Sequence, residues 1–156
     1  VGGTGNDLLN GNGGAVAFQG GAGDDVVQVS SLDFHVVDGG NGSDTLELDG
    51  AGLHLDLTAL ADSRTRSIER IDIGGTGNNT LTLGVLDVLN LSEDSNELLV
   101  LGETGDVVNR GTGWTTAASG GSNGDGTSTI DGQTYQIYTA GQATLLLDTD
   151  ITVNTS

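Results

Sequence analysis

A glycine-rich period of nine residues over positions 2–50 constrains the fold of this chain more than any other feature. Successive units read GGTGNDLLN, GNGGAVAFQ, GGAGDDVVQ, VSSLDFHVV and, after one inserted residue, GGNGSDTLE. Their eighth positions are all large and apolar: Leu9, Phe18, Val27, Val36 and Leu46. Such a unit suits about six residues of turn and about three of strand, with one side chain pointing inward. Because no unit buries that side chain alone, we expect an all-β fold, a right-handed parallel β-roll (β-solenoid) followed by a smaller β-rich capping region.

The turns along one edge of this predicted roll carry a column of carboxylates. Two units complete one circuit, so the turns that begin at Gly2, Gly20 and, after the insertion, Gly39 should lie above one another. Their sixth positions, spaced by ~4.8 Å if the strands pair in parallel, are all aspartate: Asp7, Asp25 and Asp44. Stacked carboxylates repel one another unless a cation lies between them. Hard oxygen ligands favour calcium, so we predict one calcium ion between each pair of successive turns.

The candidate calcium ligands all come from these three turns. They are Gly2, Thr4, Asn6, Asp7, Gly20, Gly21, Ala22, Gly23, Asp24, Asp25, Gly39, Gly40, Asn41, Gly42 and Asp44. Asn6, Asp24 and Asn41 would either add side-chain oxygens or hold the turns in shape. The opposite edge should bind little or nothing, because the Gly11 turn has Val16 at its sixth position and the Val29 turn lacks glycine. A glycine-rich solenoid with solvated aspartates and no metal is the alternative.

Residues 51–111 keep the inward apolar rhythm with weaker repeats. LHLDLTAL and SIERIDI alternate as half-buried strands do, and a further unit, GGTGNNTLT, has Asn79 where the others have aspartate. An amide carries no negative charge, so we expect no strong calcium site there. ELLVLG and DVVNRG predict two strands about the turn GETGD. Glu103 and Asp106 in this turn are weaker calcium candidates, and an exposed acidic turn is the favoured interpretation.

Helical spacing occurs only near residues 85–92. Val85, Leu86 and Leu89, with Val88, would share one face of a short helix that covers an open edge of the roll.

Residues 112–156 predict an antiparallel cap, which completes a single domain with residues 1–50 and 51–111. Trp114, Tyr135 and Tyr138 could form a sugar-stacking surface, although packing in the core or at an edge is the favoured interpretation. The NGDGT segment faintly resembles a calcium loop through Asp125, but the twelfth position counted from Asn123 is Thr134, which favours a simple turn.

The motifs GGTGND, GGAGDD and GGNGSD resemble the calcium-binding repeats-in-toxin (RTX) motif GGxGxDxUx, in which U is a large apolar residue. The segments SIERIDIGGTGNNTLTLGVLDVLNLS, NELLVLGETGDVV and DGQTYQIYTAGQATLLLDTDITV are similar to the carboxy-terminal region of very large bacterial adhesins exported by type I secretion. The resemblance covers essentially the whole chain. It implies a secreted or cell-surface adhesin, the type I secretion machinery as partner, and an uncleaved secretion signal within Thr144–Ser156. An extracellular carbohydrate or surface ligand would be bound through domains upstream of this chain.

Composition excludes several other functions. The 156-residue chain has no cysteine, no lysine, four Arg and 22 acidic residues, which gives a formal charge of −18. We therefore expect neither nucleic acid nor membrane insertion, and a metal-free chain that is expanded by its own charge. No nucleophile and base pair is apparent, and His35 and His54 suit structural roles better than catalysis, so an enzyme is not predicted. Because the chain begins inside a repeat at Val1, we expect a fragment of a longer protein.

The mechanism that this resemblance implies joins metal binding to export. Where free calcium is scarce, inside the cell, the acidic repeats would stay unfolded, and they would fold on reaching millimolar calcium outside. Two other classes remain: a carbohydrate-binding RTX module of a polysaccharide-active enzyme, and an ice-binding solenoid that uses the row Thr4, Ala22 and Asn41.

Overall fold

The computed structural model describes residues 1–155 and is mostly β-structure with one short α-helix, which confirms the predicted all-β class. Ser156, the last residue of the expected secretion signal, lies outside the described residues. The strands are β1 (Gly3–Thr4), β2 (Leu8–Asn10), β3 (Ala17–Ala22), β4 (Val26–Val29), β5 (Val36–Asn41), β6 (Thr45–Leu48), β7 (His54–Asp56), β8 (Thr65–Arg66), β9 (Arg70–Asp72), β10 (Thr80–Thr82), β11 (Glu97–Leu101), β12 (Val107–Asn109), β13 (Thr115–Thr116), β14 (Thr127–Ile130), β15 (Gln133–Ala140), β16 (Ala143–Asp148) and β17 (Thr152–Asn154). The helix is α1 (Val85–Leu91), and a 3₁₀ turn spans Asp62–Arg64.

The glycine-rich units pair in parallel at the spacing that the sequence predicts. Strand β1 pairs with β3 through Gly3 and Gly21, which lie two nonapeptide units apart. Strand β3 pairs with β5 through Gly21 and Gly40, where the single inserted residue lengthens the interval. Strands β2, β4 and β6 repeat the same two intervals. The insertion therefore lengthens one layer without breaking the pairing.

One apolar column runs through the six parallel strands of the largest sheet. The register of β2, β4, β6, β9, β11 and β16 aligns six residues directly: Leu9, Val27, Leu46, Ile71, Val100 and Leu147. All but Leu9 are almost completely buried. A second column of Leu55, Leu81 and Val108 lies in the sheet formed by β7, β10 and β12 and is also buried. The alternating pattern of LHLDLTAL and SIERIDI thus predicts the buried positions of these strands correctly.

The layers lengthen after residue 50. Thr45 pairs with Arg70, and Thr80 pairs with Val107, so each layer takes more residues here than two nonapeptide units supply. The strands predicted on either side of GETGD are both present as β11 and β12. They belong to different sheets, because β11 pairs with β9 and β16 whereas β12 pairs with β10 and β17.

The predicted helix is present, but one of its predicted core residues is not in the core. Val88 and Leu91 are buried, and Val85 and Leu89 pack against the core as partly buried side chains. Leu86 is 71% exposed, which corrects the predicted apolar face. At about 100° per residue, the face centred on Val88 and Leu91 leaves Leu86 directed away from it. No helix within residues 1–155 is long and apolar enough to cross a membrane.

The tail forms the predicted antiparallel strands but is more than a cap. Strands β13, β14 and β16 all pair antiparallel with β15. Strand β16 also pairs in parallel with β11, and β17 pairs in parallel with β12. The last strands therefore extend both parallel sheets, since Leu145 and Leu147 are apolar enough to continue the core.

Leu46→Ala should destabilise the folded protein by about 2–5 kcal/mol, because it removes a fully buried side chain and leaves a cavity in the apolar column. The matched control is Leu86→Ala, the same substitution at an exposed helical position, for which we expect a change within about 0.5 kcal/mol. Urea unfolding in the same calcium-containing buffer compares the two. Equal losses would mean that the column is not the core of the domain.

Candidate metal centre

The three predicted aspartates form one hydrogen-bonded column. The backbone N–H of Asp7 donates to Asp25 Oδ1 at 2.8 Å, and the N–H of Asp25 donates to Asp44 Oδ1 at 2.8 Å. The series continues beyond the repeats, since the N–H of Asp44 donates to Glu69 Oε2 at 2.9 Å. We call Asp7, Asp25, Asp44 and Glu69 the carboxylate column. Asp25 and Asp44 are buried, at 1% and 0% exposure, so stacking at the predicted interval brings the carboxylates into the protein interior.

The second oxygen of each aspartate is buried without a partner among residues 1–155. The Oδ2 atoms of Asp7, Asp25 and Asp44 receive no hydrogen bond from this part of the chain. A buried carboxylate oxygen without a donor or cation costs several kcal/mol. The turns are therefore built around acceptors that lack a positive partner.

Glycine at the first position of each turn is required by these same oxygens. A Cβ on Gly2 would lie 2.6 Å from Asp7 Oδ2 and 2.5 Å from the carbonyl oxygen of Gly20. A Cβ on Gly20 would collide with Asp25 Oδ2 and with the carbonyl oxygen of Gly39. A carboxylate oxygen and a carbonyl oxygen of the next turn thus converge on each glycine, and any side chain there would fill that space.

The second, third and fourth positions of the turns determine the backbone conformation and its hydrogen bonds. Gly21 and Gly23 adopt φ angles of 123° and 124°, which residues with a Cβ rarely adopt, and Gly40 and Gly42 also have positive φ one layer on. The carbonyls of Ala22 and Asn41 at the third position accept hydrogen bonds from the N–H groups of Gly5 and Gly23, at 2.7 and 2.9 Å. Thr4 pairs with Ala22 between β1 and β3.

The fifth positions hold successive turns together. Asn6 Oδ1 accepts from the N–H of Asp24 at 2.9 Å, and Asp24 Oδ1 accepts from the N–H of Ser43 at 2.9 Å. These hydrogen bonds allow Asn6 and Asp24 to hold successive turns in shape. Asn41 is exposed at the third position of its turn.

No arginine within residues 1–155 forms an ion pair with the column. The only salt bridge found in this range joins Arg66 to Asp38 at 2.8 Å. Arg64 donates instead to the carbonyls of Leu32, Phe34 and His35 and lies over the Phe34 ring.

Burial raises the pKa of Asp44 and of Glu69, the two last members of the column. The charge of the neighbouring carboxylate raises each pKa further, from Asp25 on Asp44 and from Asp44 on Glu69. Both raised pKa values mean that burial and the neighbouring charge disfavour the ionised forms of Asp44 and Glu69.

These donors fit a hard cation. Carboxylate oxygens and turn carbonyls are the ligands that calcium takes, with water completing six to eight contacts. Within the described part of the chain, no group of three or more His, Asp or Glu side chains is close enough to hold a metal by itself. A cation in this column would therefore depend on main-chain carbonyls as well as on Asp7, Asp25 and Asp44.

A second hydrogen-bonded column contains the amide of Asn79 at the position that aspartate occupies in the first column. The N–H of Leu53 donates to Asn79 Oδ1 at 2.8 Å, and the N–H of Asn79 donates to Asp106 Oδ1 at 2.8 Å. Asn79 Nδ2 donates to the carbonyls of Gly50 and Ile73, both at 2.9 Å. The Asn79 amide thus supplies protons at the place where an aspartate presents a bare oxygen. The expectation of no strong calcium site in the GGTGNN turn stays a prediction.

Two of the three weaker candidates, Asp106 and Asp125, accept hydrogen bonds from the protein itself. Both oxygens of Asp106 accept hydrogen bonds, from the N–H groups of Asn79 and Glu103. Asp125 Oδ1 accepts from the hydroxyl and the N–H of Thr127, at 2.6 and 3.0 Å, which lowers the pKa of this exposed carboxyl. Glu103 lines a cavity of about 260 Å³ together with Asp72 and Asp148. These contacts suit structural turns.

The three aromatic side chains of the tail are in the interior. Trp114, Tyr138 and Tyr135 are 9%, 8% and 2% exposed. The Trp114 ring N–H donates to the Arg110 carbonyl at 2.9 Å, and the Arg110 guanidinium lies 4.6 Å from the Tyr138 ring centre. Packing is therefore their role, as expected. His54 Nε2 is hydrogen-bonded to Thr82 Oγ1 at 2.9 Å.

Sequence reasoning missed Glu69 as a member of the carboxylate column. It follows Asp44 at a longer interval than the repeats have and lies in a segment without glycine, so neither the nonapeptide period nor the motif marks it. The signal that could have found it is the strand pattern, because aligning SIERIDI with the strand after Asp44 places Glu69 beside that aspartate.

Comparison with protein-family models, with curated proteins and with solved structures found no match. Function is therefore inferred from the residues themselves.

Asn79→Asp should destabilise the protein by about 3 kcal/mol, because an oxygen would replace the amide donor that faces the carbonyls of Gly50 and Ile73. The control is Asn78→Asp, the same substitution at the exposed neighbouring position. Urea unfolding of both variants at pH 7 measures the difference. Equal stability of the two variants would contradict the role assigned to the Asn79 amide.

Proposed function

We propose that residues 2–48 form a calcium-bound parallel β-roll, and that the chain is a calcium-dependent folding and secretion module at the carboxy-terminal end of a large extracellular bacterial adhesin. The observation that carries the proposal is the stack of buried Oδ2 atoms of Asp7, Asp25 and Asp44, which have no donor among residues 1–155. Parallel pairing at an interval of two nonapeptide units, lengthened once by the insertion, brings the three GGxGxD turns into one stack.

Each interval between turns offers a set of oxygens from two layers. Between the first two turns, Asp7 Oδ2 and the Gly20 carbonyl oxygen converge beside Gly2. Between the next two turns, Asp25 Oδ2 and the Gly39 carbonyl oxygen converge beside Gly20. Bound calcium supplies the positive charge that these oxygens lack. Asp7, Asp25 and Asp44 would hold the ions, while Asn6 and Asp24 hold the turns at the correct separation.

Calcium dependence of folding follows from the charge of the chain. With 22 acidic residues against four Arg, the protein repels itself wherever cations are scarce. The carboxylate column exists only when the turns are stacked, so the free energy of binding becomes free energy of folding. Stabilisation grows as RT ln(1 + [calcium]/Kd), which is about 2.7 kcal/mol at one hundred times Kd. A chain that is unfolded at low calcium can be exported through a narrow channel and folds outside.

The secretion role draws on the resemblance of the second half to adhesin tails. The expected signal segment begins at Thr144, within β16, whose Leu145 and Leu147 are buried in the core. In the folded protein these side chains are inaccessible. The secretion machinery would therefore read the segment before folding, which is consistent with folding that waits for calcium.

Calcium titration of the metal-free protein, followed by far-ultraviolet circular dichroism, tests the proposal. We expect a cooperative transition to β-structure near millimolar calcium. Asp25→Asn retains the shape of the side chain but removes the charge that both intervals share, so the midpoint should rise roughly tenfold, equivalent to about 1.4 kcal/mol. Asp33→Asn, at an exposed aspartate outside the carboxylate column, is the control and should leave the midpoint unchanged.

Full β-structure in the calcium-free protein would overturn the folding proposal. So would identical midpoints for Asp25→Asn and Asp33→Asn, since the two variants lose the same charge and differ only in its position.

A further inference from the structure

The fourth position of each GGxGxD turn is a glycine, and in the first two turns its N–H is bonded to the next layer. The N–H of Gly5 donates to the Ala22 carbonyl at 2.7 Å, and the N–H of Gly23 donates to the Asn41 carbonyl at 2.9 Å. Gly42 holds the same position in the last turn, but its N–H has no hydrogen-bond partner among residues 1–155. The series of turn-to-turn hydrogen bonds therefore ends at Gly42.

The short layer that covers the last turn explains this free N–H. Between the pairs β5–β8 and β6–β9, residues 67–69 face residues 39–44, so the covering segment is too short to follow the turn. Gly42 instead lines an opening of about 160 Å³ at this place. Solvent can therefore reach the peptide unit between Asn41 and Gly42.

The side chain of Asn41 is free as well. It is exposed, and its amide makes no hydrogen bond to residues 1–155. The peptide unit that joins Asn41 to Gly42 is held on one side only, through the carbonyl that accepts from Gly23. Glycine has no Cβ, so nothing hinders an approach of the Gly42 nitrogen to the side-chain amide carbon of Asn41.

Two other Asn–Gly pairs of the chain are held at both groups. The N–H of Gly11 donates to the Gln28 carbonyl at 3.2 Å, and Asn10 Nδ2 donates to Gln28 Oε1 at 2.9 Å. In the second pair, the N–H of Gly124 donates to the Gly121 carbonyl at 3.3 Å. The side chain of Asn123 is bonded there to the hydroxyls of Thr127 and Thr129.

The fourth pair, Asn12 and Gly13, provides a comparison outside the GGxGxD turns. Asn12 is exposed and uses its backbone N–H to bond Asn10 Oδ1. Neither its side chain nor the N–H of Gly13 has a hydrogen-bond partner within residues 1–155. Asn12 and Asn41 are therefore the two unrestrained asparagines that precede glycine.

We propose that Asn41 is a site of spontaneous deamidation in the folded protein. The Gly42 nitrogen forms a bond to the side-chain carbonyl carbon of Asn41 and gives up its proton, and the side-chain nitrogen leaves as ammonia. The product is a cyclic imide. Water then adds to one of the two imide carbonyls and breaks the bond between that carbonyl and the Gly42 nitrogen. Opening at the side-chain carbonyl leaves isoaspartate minus its branch unchanged as ordinary aspartate, and opening at the backbone carbonyl gives isoaspartate, in which the main chain runs through the former side chain.

This modification would loosen the contact between the last two GGxGxD turns. In isoaspartate the main chain gains one carbon, and the carbonyl that accepts the Gly23 N–H is no longer part of the main chain. Either product also adds a negative charge to a turn whose glycines line the same opening as Glu69, Glu93 and Asp94. The inference goes beyond the proposed function, because it depends on the turn geometry and not on a bound cation.

Peptide mapping of the folded wild type during storage in calcium-containing buffer tests the site. Samples are digested at acidic pH, and mass spectrometry detects the gain of one mass unit, with electron-transfer fragmentation to distinguish isoaspartate from aspartate. We expect Asn41 and Asn12 to convert roughly tenfold faster than Asn10 and Asn123, whose hydrogen bonds must break before the glycine nitrogen can attack. In the urea-unfolded chain, which is the reference, all four pairs should convert at similar rates.

Amide hydrogen exchange of Gly23 measures the effect on the turn. Exchange in the stored wild type should be roughly tenfold faster than in fresh protein, because the hydrogen bond to position 41 is lost. The matched control is Asn41→Gln, which keeps an uncharged amide at this exposed position but cyclises slowly. Its Gly23 exchange should not change on storage.

Two outcomes would overturn the proposal. One is an unmodified Asn41 in the folded protein over the time in which the unfolded chain converts, since the last turn would then prevent the reaction. The other is equal conversion of all four pairs in the folded protein, because the reaction would then proceed through unfolded chains. Neither outcome affects the calcium proposal, which is tested by the midpoint of folding.

Discussion

The structure depends on burying carboxylates in a stack without giving them a positive partner from the described part of the protein. Parallel pairing of the repeats brings Asp7, Asp25 and Asp44 into line, and each donates its backbone N–H to the carboxylate of the next layer. That ladder gives a donor to one oxygen of Asp25 and of Asp44, and it leaves the Oδ2 atoms of Asp7, Asp25 and Asp44 without a partner among residues 1–155. Because close parallel strands fix the separation of the turns, the carboxylates cannot move apart to relieve their repulsion. The unfavourable proximity of these carboxylates is therefore a consequence of strand geometry, and it is the reason for the proposal that a cation lies between them.

The second column differs from the first by one amide in place of a carboxylate. Asn79 accepts the same kind of backbone hydrogen bond as Asp25 or Asp44, but its amide also donates to the carbonyls of Gly50 and Ile73. An amide thus provides acceptor and donor together, whereas a carboxylate provides acceptors alone. The first half of the chain consequently leaves buried oxygens without a partner among residues 1–155, whereas the Asn79 amide finds its partners within the protein.

The nonapeptide predicted most of the first half, because a period fixes both register and side-chain direction. The inward positions of Val27 and Leu46 and the stacking of the aspartates follow from it. The predicted inward position of Val36 is wrong, because the inserted residue precedes β5 and it is Val37 that aligns with Phe18 and is buried. The register of the second half was harder to predict, because its layers have unequal lengths and therefore no constant period. One layer runs from Thr45 to Arg70 and the next from Arg70 to Leu99. The place of Glu69 beside Asp44 appears only when the strands are aligned, because the turn opposite residues 39–44 consists of residues 67–69 alone. The exposure of Leu86 depends on which side of a short helix meets the core, and apolar spacing alone does not determine this.

The two halves are joined by the apolar column rather than by a linker. Leu46 of the last GGxGxD layer pairs directly with Ile71, and Val100 and Leu147 continue the same row through the metal-independent layers. Exposing one member of a parallel stack exposes the next, so loss of the repeat layers uncovers Ile71. Conversely, when the layers after residue 66 are folded, β9 is the edge strand with which β6 can pair. Ligation of the carboxylate column would therefore extend an existing sheet instead of nucleating a new one, which lowers the conformational entropy that folding of the glycine-rich turns must overcome.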